Sequence, residues 1–219
     1  MAPTRDNERE PVRRRVPQQS RSRDRVRRIL DVAGQLVVTD GVAALSTRSI
    51  ADRADVPVAS LYQYFADKES ILLALVERDV ADMDAQVAED LGELDVLTVR
   101  GLVETTMRAF VKVYHRRPSF VVIWLRGRTN VAINAFCRSH NSRIAKELFE
   151  FASGAGLVDE SAQLLNAELA VEVGDRLFQI AFEDDLLGDP RVIDEGVDLV
   201  SSYLERHATT EGLQGVRLR

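Results

Sequence analysis

The sequence predicts an all-α protein, and three observations lead to that prediction. Apolar residues recur at helical spacing through most of the chain, and about nine such stretches are expected to form helices. After residue 19 only three prolines remain, and each falls at or near the start of an apolar-periodic stretch, where a missing N–H costs nothing. Glycines follow the ends of such stretches. No stretch shows the period of two that is typical of a strand.

The first long helix is predicted over residues 22–39, where one face collects the apolar side chains Val26, Ile29, Leu30, Ala33, Leu36 and Val37. Later stripes of the same kind predict helices over 67–90, 96–115, 130–153, 161–187 and 190–207. Asp189 and Pro190 have the residue types of an N-cap and a first helical position. The chain before residue 67 also holds two short predicted helices, described below, whereas the helices after it are all long. We therefore expect one domain over 20–66 and a second over 67–219.

Composition excludes several classes of protein. The 219 residues are 45% hydrophobic and 29% charged, as in a globular chain with a sizeable core. The longest apolar run, Phe120 to Leu125, is far shorter than the roughly 20 residues of a membrane span. No apolar stretch follows the N-terminal arginines, so no secretory signal is expected. The single Cys137 rules out an internal disulfide and suits a reducing cytoplasm, where we expect the protein to act.

The net charge of −6 is distributed unevenly along the chain. Residues 1–28 hold ten arginines and four acidic residues, a net of +6, whereas residues 71–219 carry a net of −9. A basic N-terminal segment on an otherwise acidic chain favours a polyanionic partner for that segment only. The alternative is that the segment is a solvated tail without a partner. Residues 1–19 hold three prolines and almost no large apolar side chains, and we expect them to form a flexible basic arm.

The segment with the strongest functional signal is residues 44–65, which read ALSTRSIADRADVPVASLYQYF. Ser46 or Thr47 can cap a short helix over 47–54. A tight break follows, with Asp55 where a left-handed residue is needed, and a second short helix is predicted over 58–64. We expect Val56, Leu61 and Phe65 to face inward and Ser60, Tyr62, Gln63 and Tyr64 to be left for other surfaces.

Two short helices joined by a turn and supported by a first helix make a helix-turn-helix unit. An exposed helix of this size fits the major groove of B-DNA and reaches base edges there. Arg48, at the start of the first short helix, can read guanine or pair with a phosphate, and Lys68, at the start of the next helix, can hold a phosphate.

Residues 22–73 resemble the DNA-binding domain of the TetR family of bacterial transcriptional regulators. The resemblance rests on the pattern LYxYFxxK at Leu61–Lys68 and on IAxxAxV at Ile50–Val56 upstream of it. It implies a three-helix head, a connecting helix from about Asp67, and a domain of five or so helices that binds a small effector and dimerises through its last two helices. The chain is then a transcriptional regulator, with repression as the default in that family.

The resemblance also implies which side chains meet DNA. They are Thr47 and Arg48 from the first helix of the motif, and Val58, Ala59, Ser60, Tyr62, Gln63 and Tyr64 from the recognition helix. Lys68 would contact the phosphate backbone of the DNA. Asp55 and Pro57 depart from the family, where Gly and a Ser-like cap are usual, and the recognition helix has few hydrogen-bond donors. We therefore expect Val58 and Ala59 to contact thymine methyl groups and Arg48 to be the base-specific donor.

Roles other than DNA contact remain open for the two tyrosines and for the basic arm. Tyr62 and Tyr64 are at a spacing that also suits packing, and the basic arm either lies in a minor groove of a palindromic operator or has no role in the folded protein.

The last two long stripes suggest a symmetric dimer through the helices near 161–187 and 190–207, although a core role is the alternative for each face. The first stripe holds Leu164, Leu165, Leu169, Val173, Leu177, Ile180 and Phe182, and the second holds Val192, Ile193, Val197, Val200 and Leu204.

The helices over 96–153 are expected to enclose a pocket for an unidentified small apolar or amphipathic effector. The candidate ligand-binding residues are Met107, Phe110, Tyr114, Trp124, Asn130, Asn134 and Phe178, with Asn130 and Asn134 on one helix face. Core packing for the aromatic side chains and solvation for the asparagines are the alternatives.

An enzyme is the main competing class, and the sequence gives it little support. The chain has none of the nucleotide-binding, serine-hydrolase or zinc-protease motifs, and Cys137 with His140 supplies at most half of a zinc site. We therefore expect no catalytic residues, no cofactor and no metal. The other alternative is a helical interaction protein of the same fold that has lost DNA binding.

Overall fold

The structure is a computed structural model that describes residues 18–127 and 130–217. Within these ranges the helices are α1 (Gln18–Ala44), α2 (Thr47–Arg53), α3 (Val58–Leu61), α4 (Lys68–Gly92), α5 (Val99–Arg116), α6 (Pro118–Phe120), α7 (Val131–Gly154), α8 (Leu164–Ala181), α9 (Pro190–Leu204) and α10 (Thr210–Gln214). A π-helical turn over Val121–Leu125 follows α6, and a 3₁₀ turn over Glu205–His207 follows α9. The predicted arm over 1–19 lies outside the described residues except for its last two positions, which belong to α1.

The predicted all-α class is confirmed, with one small addition. Strand β1 (Val96–Leu97) pairs antiparallel with strand β2 (Val216–Arg217) near the C-terminus. Two residues are too few to show an alternating pattern, so the sequence carried no sign of this pair. No helix in the described part of the chain combines the length and apolarity needed to cross a membrane.

Proline marks the helix starts as the sequence predicts. Pro118 and Pro190 occupy the first turns of α6 and α9, and Pro57 is the N-cap residue of α3. Asp189 caps α9 with its carboxylate, which accepts a hydrogen bond from the Arg191 N–H at 2.9 Å. The start of α9 is therefore fixed by local chemistry alone.

The helix predicted over 161–187 is shorter in the structure at both ends. α8 ends at Ala181, and the side chain of Phe182 turns into the core, where it is fully buried. Gly188 has a φ of 75°, and a Cβ there would lie 2.7 Å from the Phe182 ring. Only glycine both adopts this positive φ without strain and leaves room for the Phe182 ring. The chain therefore turns over Phe182 towards α9, and α8 does not continue.

The small head formed by α1, α2 and α3 is continuous with the body, which is the described part of the chain from α4 onward. A single apolar core runs from Ile29 on α1 through Leu61 on α3 and Leu75 on α4 to Phe182 and Val197. α1 packs on α4, α6 and the π-helical turn. The head is thus packed directly on the body, and the connection is not limited to the chain between α3 and α4.

Close packing and an ion pair hold the head to the body. A Cβ on Gly34 of α1 would lie 3.2 Å from the Ser119 Oγ on α6, so the two helices approach each other closely. Arg78 on α4 bridges Asp31 on α1 at 2.8 Å and its own neighbour Asp79 at 3.0 Å. Asp79 is fully buried, and this burial raises its pKa even though Arg78 stabilises the charged form.

The turn between α2 and α3 places one non-glycine residue in the left-handed region, as predicted. Asp55 has a φ of 50°, and its carbonyl accepts a 3.5 Å hydrogen bond from Arg28 on α1. Asp tolerates this conformation better than most residues because of its short polar side chain.

Replacing Asp55 with valine should therefore lower the free energy of unfolding by about 1–3 kcal/mol, because a β-branched residue is strained at positive φ. Asp55→Asn should change it by less than about 0.5 kcal/mol. Urea unfolding followed by circular dichroism at one protein concentration measures both. Equal stability of the valine and asparagine variants would contradict a left-handed turn.

Candidate nucleic-acid interface and internal cavity

The start of α2 is fixed by a capping box, which leaves its first turn facing outward. Of the two candidate caps, Ser46 is the one used: its hydroxyl accepts from the Ser49 N–H at 3.0 Å, and the Ser49 hydroxyl accepts from the Ser46 N–H at 3.1 Å. Thr47 is half-buried and Arg48 is exposed in the turn that follows. The guanidinium of Arg48 is thus presented at the helix N-terminus.

The recognition segment is shorter as a helix than predicted. α3 covers only Val58–Leu61, and the chain continues as a turn to Phe65, whose N–H donates to the Leu61 carbonyl at 3.0 Å. Val56, Leu61 and Phe65 are buried, as the sequence predicts. The remaining side chains face outward to different degrees: Ala59, Tyr62 and Gln63 are exposed, whereas Val58, Ser60 and Tyr64 are half-buried.

Two tyrosines of this segment have different surroundings. Tyr62 is 52% exposed, and its hydroxyl lies 3.1 Å from the Thr47 Oγ1, which joins the outer side of α3 to the start of α2. Tyr64 packs against the head core, and its hydroxyl accepts a 3.2 Å hydrogen bond from Ser22 on α1. Tyr64 therefore has a structural partner, while Tyr62 presents its ring to solvent.

The first turn of α4 completes this surface. Lys68 is the first residue of α4 and is half-buried. Asp67 caps the helix, since its carboxylate accepts from the Ser70 N–H at 2.8 Å and from the Ser70 hydroxyl at 2.6 Å. These two hydrogen bonds lower the pKa of Asp67. Arg21 and Arg23, the sequence neighbours of Ser22 on α1, are also exposed.

An internal cavity of about 120 Å³ lies in the body between α4, α5, α7, α8 and α9. Five of the seven predicted ligand-binding residues line it, namely Met107, Phe110, Tyr114, Trp124 and Phe178. Phe178 packs edge-on against Tyr114 at 5.4 Å between ring centroids and lies 6.0 Å from Phe110. These rings form one aromatic wall from two different helices.

Asn130 and Asn134 are not part of the cavity wall, and the expectation that they share a helix face is wrong. Asn130 is the N-cap of α7, with its side chain accepting from the Ile133 N–H at 3.1 Å. It has extended backbone dihedrals, so only Asn134 is on the helix. The polar pattern read as a pocket lining is, for Asn130, a helix start.

Trp124 connects the cavity to a carboxylate and a histidine. Its indole Nε1 donates to Asp175 on α8 at 3.0 Å, and its ring meets His140 of α7 in a T-shaped contact at 5.5 Å. His140 and Thr106 also line the cavity and are buried, and sequence reasoning missed both as cavity-lining residues. Each is a polar residue in an otherwise apolar stripe, which is the signal that would have found it.

The outer surface of α8 has four large apolar side chains that are open to solvent, alongside the exposed charges of Glu172 and Arg176. Leu165, Leu169, Val173 and Ile180 are 56%, 46%, 39% and 44% exposed. α9 adds Leu199, 53% exposed, which the predicted stripe did not include. The α9 residues Ile193, Val197 and Val200 are buried within the subunit, so the core alternative is correct for them.

Within residues 18–127 and 130–217, no three His, Cys, Asp or Glu side chains are gathered so that they could hold a metal ion.

Comparison with known proteins agrees with this geometry. Residues 29–75 match the family described as bacterial regulatory proteins, tetR family. Over 64 residues the chain is 39% identical to the HTH-type transcriptional repressor KstR of Mycobacterium tuberculosis, a match that covers 29% of each chain. The aligned part is thus less than a third of the length of that curated relative.

Two solved structures extend the similarity to the body. A TetR-family transcriptional regulator from Streptomyces coelicolor matches with a TM-score of 0.68 and 29% identity, over 84% of this chain and 99% of that one. FadR from Bacillus subtilis, solved in complex with stearoyl-CoA, matches with a TM-score of 0.65 and 16% identity, over 81% of this chain and 98% of that one. The head is thus matched by sequence to the tetR family, and the whole fold is matched by structure to TetR-family transcriptional regulators.

Proposed function

We propose that this protein is a dimeric repressor that binds a palindromic operator through residues 20–66 and is released by a small apolar or amphipathic effector held in residues 67–219. The observation that carries the proposal is the exposed outer side of the α2–α3 unit, where Arg48 and Tyr62 face solvent above a buried apolar layer. Repression is proposed because the KstR relatives carry that word in their names. A reducing cytoplasm, where DNA is accessible, is the proposed compartment.

Exposure and chemistry support DNA contact by the predicted residues. An α-helix with its partner turn fits the major groove, and Arg48 has the bidentate geometry that reads guanine. Ser60, Tyr62, Gln63 and Lys68 offer donors to phosphate oxygens, while Val58 and Ala59 offer methyl groups to thymine. Tyr64 is held by Ser22, so any phosphate contact by its hydroxyl would share that hydrogen bond.

The apolar surface of α8 and α9 supports dimerisation. The side chains of Leu165, Leu169, Val173, Ile180 and Leu199 form an exposed apolar surface of the kind that marks an interface with a partner. A symmetric pair of such surfaces makes a four-helix contact. Two heads spaced by about 34–36 Å, or a multiple of that distance, then read the two halves of a palindrome.

The cavity and its wall support release by an effector. Trp124 lines the cavity and belongs to the π-helical turn, and that turn packs on α1 of the head. α4 also runs from the head to the cavity, where Met83 forms part of the wall. An effector that favours a body conformation with the heads farther apart would lower operator affinity through a population shift.

Selection from a random pool of duplex DNA tests the proposed function directly. We expect the full-length protein to enrich a short palindrome, and its affinity for that duplex to fall steeply with salt, by a slope of about 0.9 for each phosphate neutralised. Recovery of no common sequence, with weak binding that is the same for all duplexes, would support instead a helical interaction protein without an operator.

On the selected duplex, Arg48→Ala and Lys68→Ala should have distinct effects. Loss of Arg48 should relax the preference at one base pair in each half of the palindrome, at a cost of about 1–3 kcal/mol for each half, because each subunit loses a base-edge contact. Loss of Lys68 should weaken all sequences alike and lower the salt slope by about one for each subunit, or about two for the dimer. Arg138→Ala, which removes an exposed cation from α7, is the matched control and should change neither quantity. Fluorescence anisotropy over a salt series measures all three, and identical profiles for the two head variants would refute the assigned roles.

A charge on the α8 surface should separate the subunits. Leu169→Glu places a carboxylate on the proposed interface, and the sedimentation mass should fall from twice the 24.5 kDa of one chain to that single value. Val131→Glu introduces the same charge at a residue that is 81% exposed at the start of α7 and should leave the dimer intact. A dimer that survives Leu169→Glu would place the interface elsewhere.

A further inference from the structure

Two buried polar atoms on the cavity wall have no hydrogen-bond partner among the described residues. They are the Thr106 Oγ1 on α5 and the His140 Nε2 on α7. The two residues are 6% and 4% exposed, so bulk water does not supply the missing bonds. An unpaired polar group in the interior is costly and rare, and it calls for a specific explanation.

Other polar side chains on the same wall have their partners within the protein. Asn141 donates to Glu172 at 3.2 Å, Asn166 donates to the Tyr203 hydroxyl at 3.0 Å, Asp175 accepts from Trp124 at 3.0 Å, and the His207 Nδ1 lies 3.0 Å from the Ser161 hydroxyl. The two unsatisfied atoms therefore differ from these four side chains in having no hydrogen-bond partner among the described residues.

The position of the proton on His140 follows from its neighbour. An Arg143 Nη2 lies 2.9 Å from the His140 Nδ1, and a guanidinium can only donate, so Nδ1 is the acceptor. In the neutral ring the proton is then on Nε2. Burial lowers the pKa of His140, with Arg143 acting in the same direction and Asp84 against it, so the neutral form is favoured. The unpaired Nε2 is thus a hydrogen-bond donor.

The charges around the cavity favour an uncharged ligand. Asp175 is part of the wall, and Asp84 lies 4.0 Å from the His140 Nδ1. The positive charge of Arg143 is already matched by Asp84 at 2.6 Å and Glu147 at 3.0 Å. A ligand carboxylate would lose its hydration in an apolar cavity and meet carboxylates there, with no free cation among the described wall residues to compensate.

We infer that the cavity binds an uncharged, largely apolar molecule whose carbonyl oxygen accepts a hydrogen bond from the His140 Nε2–H, with the Thr106 hydroxyl serving a second polar group. This inference rests on the proposed function, because it specifies the chemical class of the effector for the same cavity. It also explains why two polar side chains interrupt apolar helix faces at the wall.

Three single-ring probes that differ in one group test this inference. Acetophenone carries a carbonyl oxygen, α-methylstyrene replaces that oxygen with a CH₂ group of similar shape, and benzoate carries a negative charge. Titration calorimetry on the full-length protein, together with the fluorescence of its single tryptophan, Trp124, reports binding in the cavity without any DNA. We expect acetophenone to bind at least about tenfold more tightly than either of the others, because only it pairs the donor without burying a charge.

Two variants separate the hydrogen bond from the shape of the cavity. His140→Phe keeps a ring against Trp124 and removes the donor, so acetophenone and α-methylstyrene should bind with equal affinity. Met107→Leu changes the apolar wall alone and should keep the preference. Imidazole ¹⁵N shifts of the unmodified protein provide a test that needs no variant. His115 also carries its proton on Nε2, because that nitrogen lies 2.8 Å from the Leu187 carbonyl, so a second Nε2–H histidine is expected, and that one should shift when acetophenone is added.

Equal affinity for the three probes, absence of binding by all of them, tighter binding of benzoate, or a preference that survives His140→Phe would each overturn the inference. Binding to the selected duplex is measured separately, on the unmodified protein in the absence of ligand. A protein that prefers acetophenone but binds no operator would overturn the proposed function and leave the ligand class standing.

Discussion

The apolar layer beneath α2 and α3 is the constraint on which the rest of the structure depends. α3 has only four residues, too few for its own hydrogen bonds to hold it as a helix. Its orientation comes from burial of Ile50, Val56, Leu61 and Phe65, which are all at most 7% exposed. Because these side chains face inward, the helical geometry turns Tyr62 and its neighbours outward, and the proposed DNA-binding surface is a consequence of the packing below it.

The same layer joins the head to the body, and the proposed effect of a ligand in the body on DNA binding depends on this connection. The core beneath α3 is continuous with that around α4 and the π-helical turn. Gly34 lets α1 approach Ser119 closely, and Trp124 a few residues later faces the cavity. A displacement of the Trp124 ring therefore has a route through packed side chains to α1, in addition to the route along α4.

Features set by local chemistry could be predicted from the sequence. Apolar spacing located the long helices, the cap at Ser46 was one of two candidates, and the left-handed turn at Asp55 followed from its place in the motif. Features set by contact between distant segments could not. The Ser22–Tyr64 hydrogen bond joins residues 42 positions apart, and the sequence pattern of α9 did not reveal that Val197 faces inward while Leu199 faces solvent. Asn130 shows the same limit, since a helix cap and a pocket residue look alike in sequence.

Amide hydrogen exchange of the full-length protein, with and without the duplex selected from random DNA, tests the central claim most directly. We expect DNA to slow exchange in α2, in the segment from Val58 to Phe65 and in the first turn of α4, and to leave the exposed face of α7 unchanged. Protection confined to the body, with α2 and α3 exchanging as in the free protein, would show that the outer side of the recognition segment is not the DNA-binding surface.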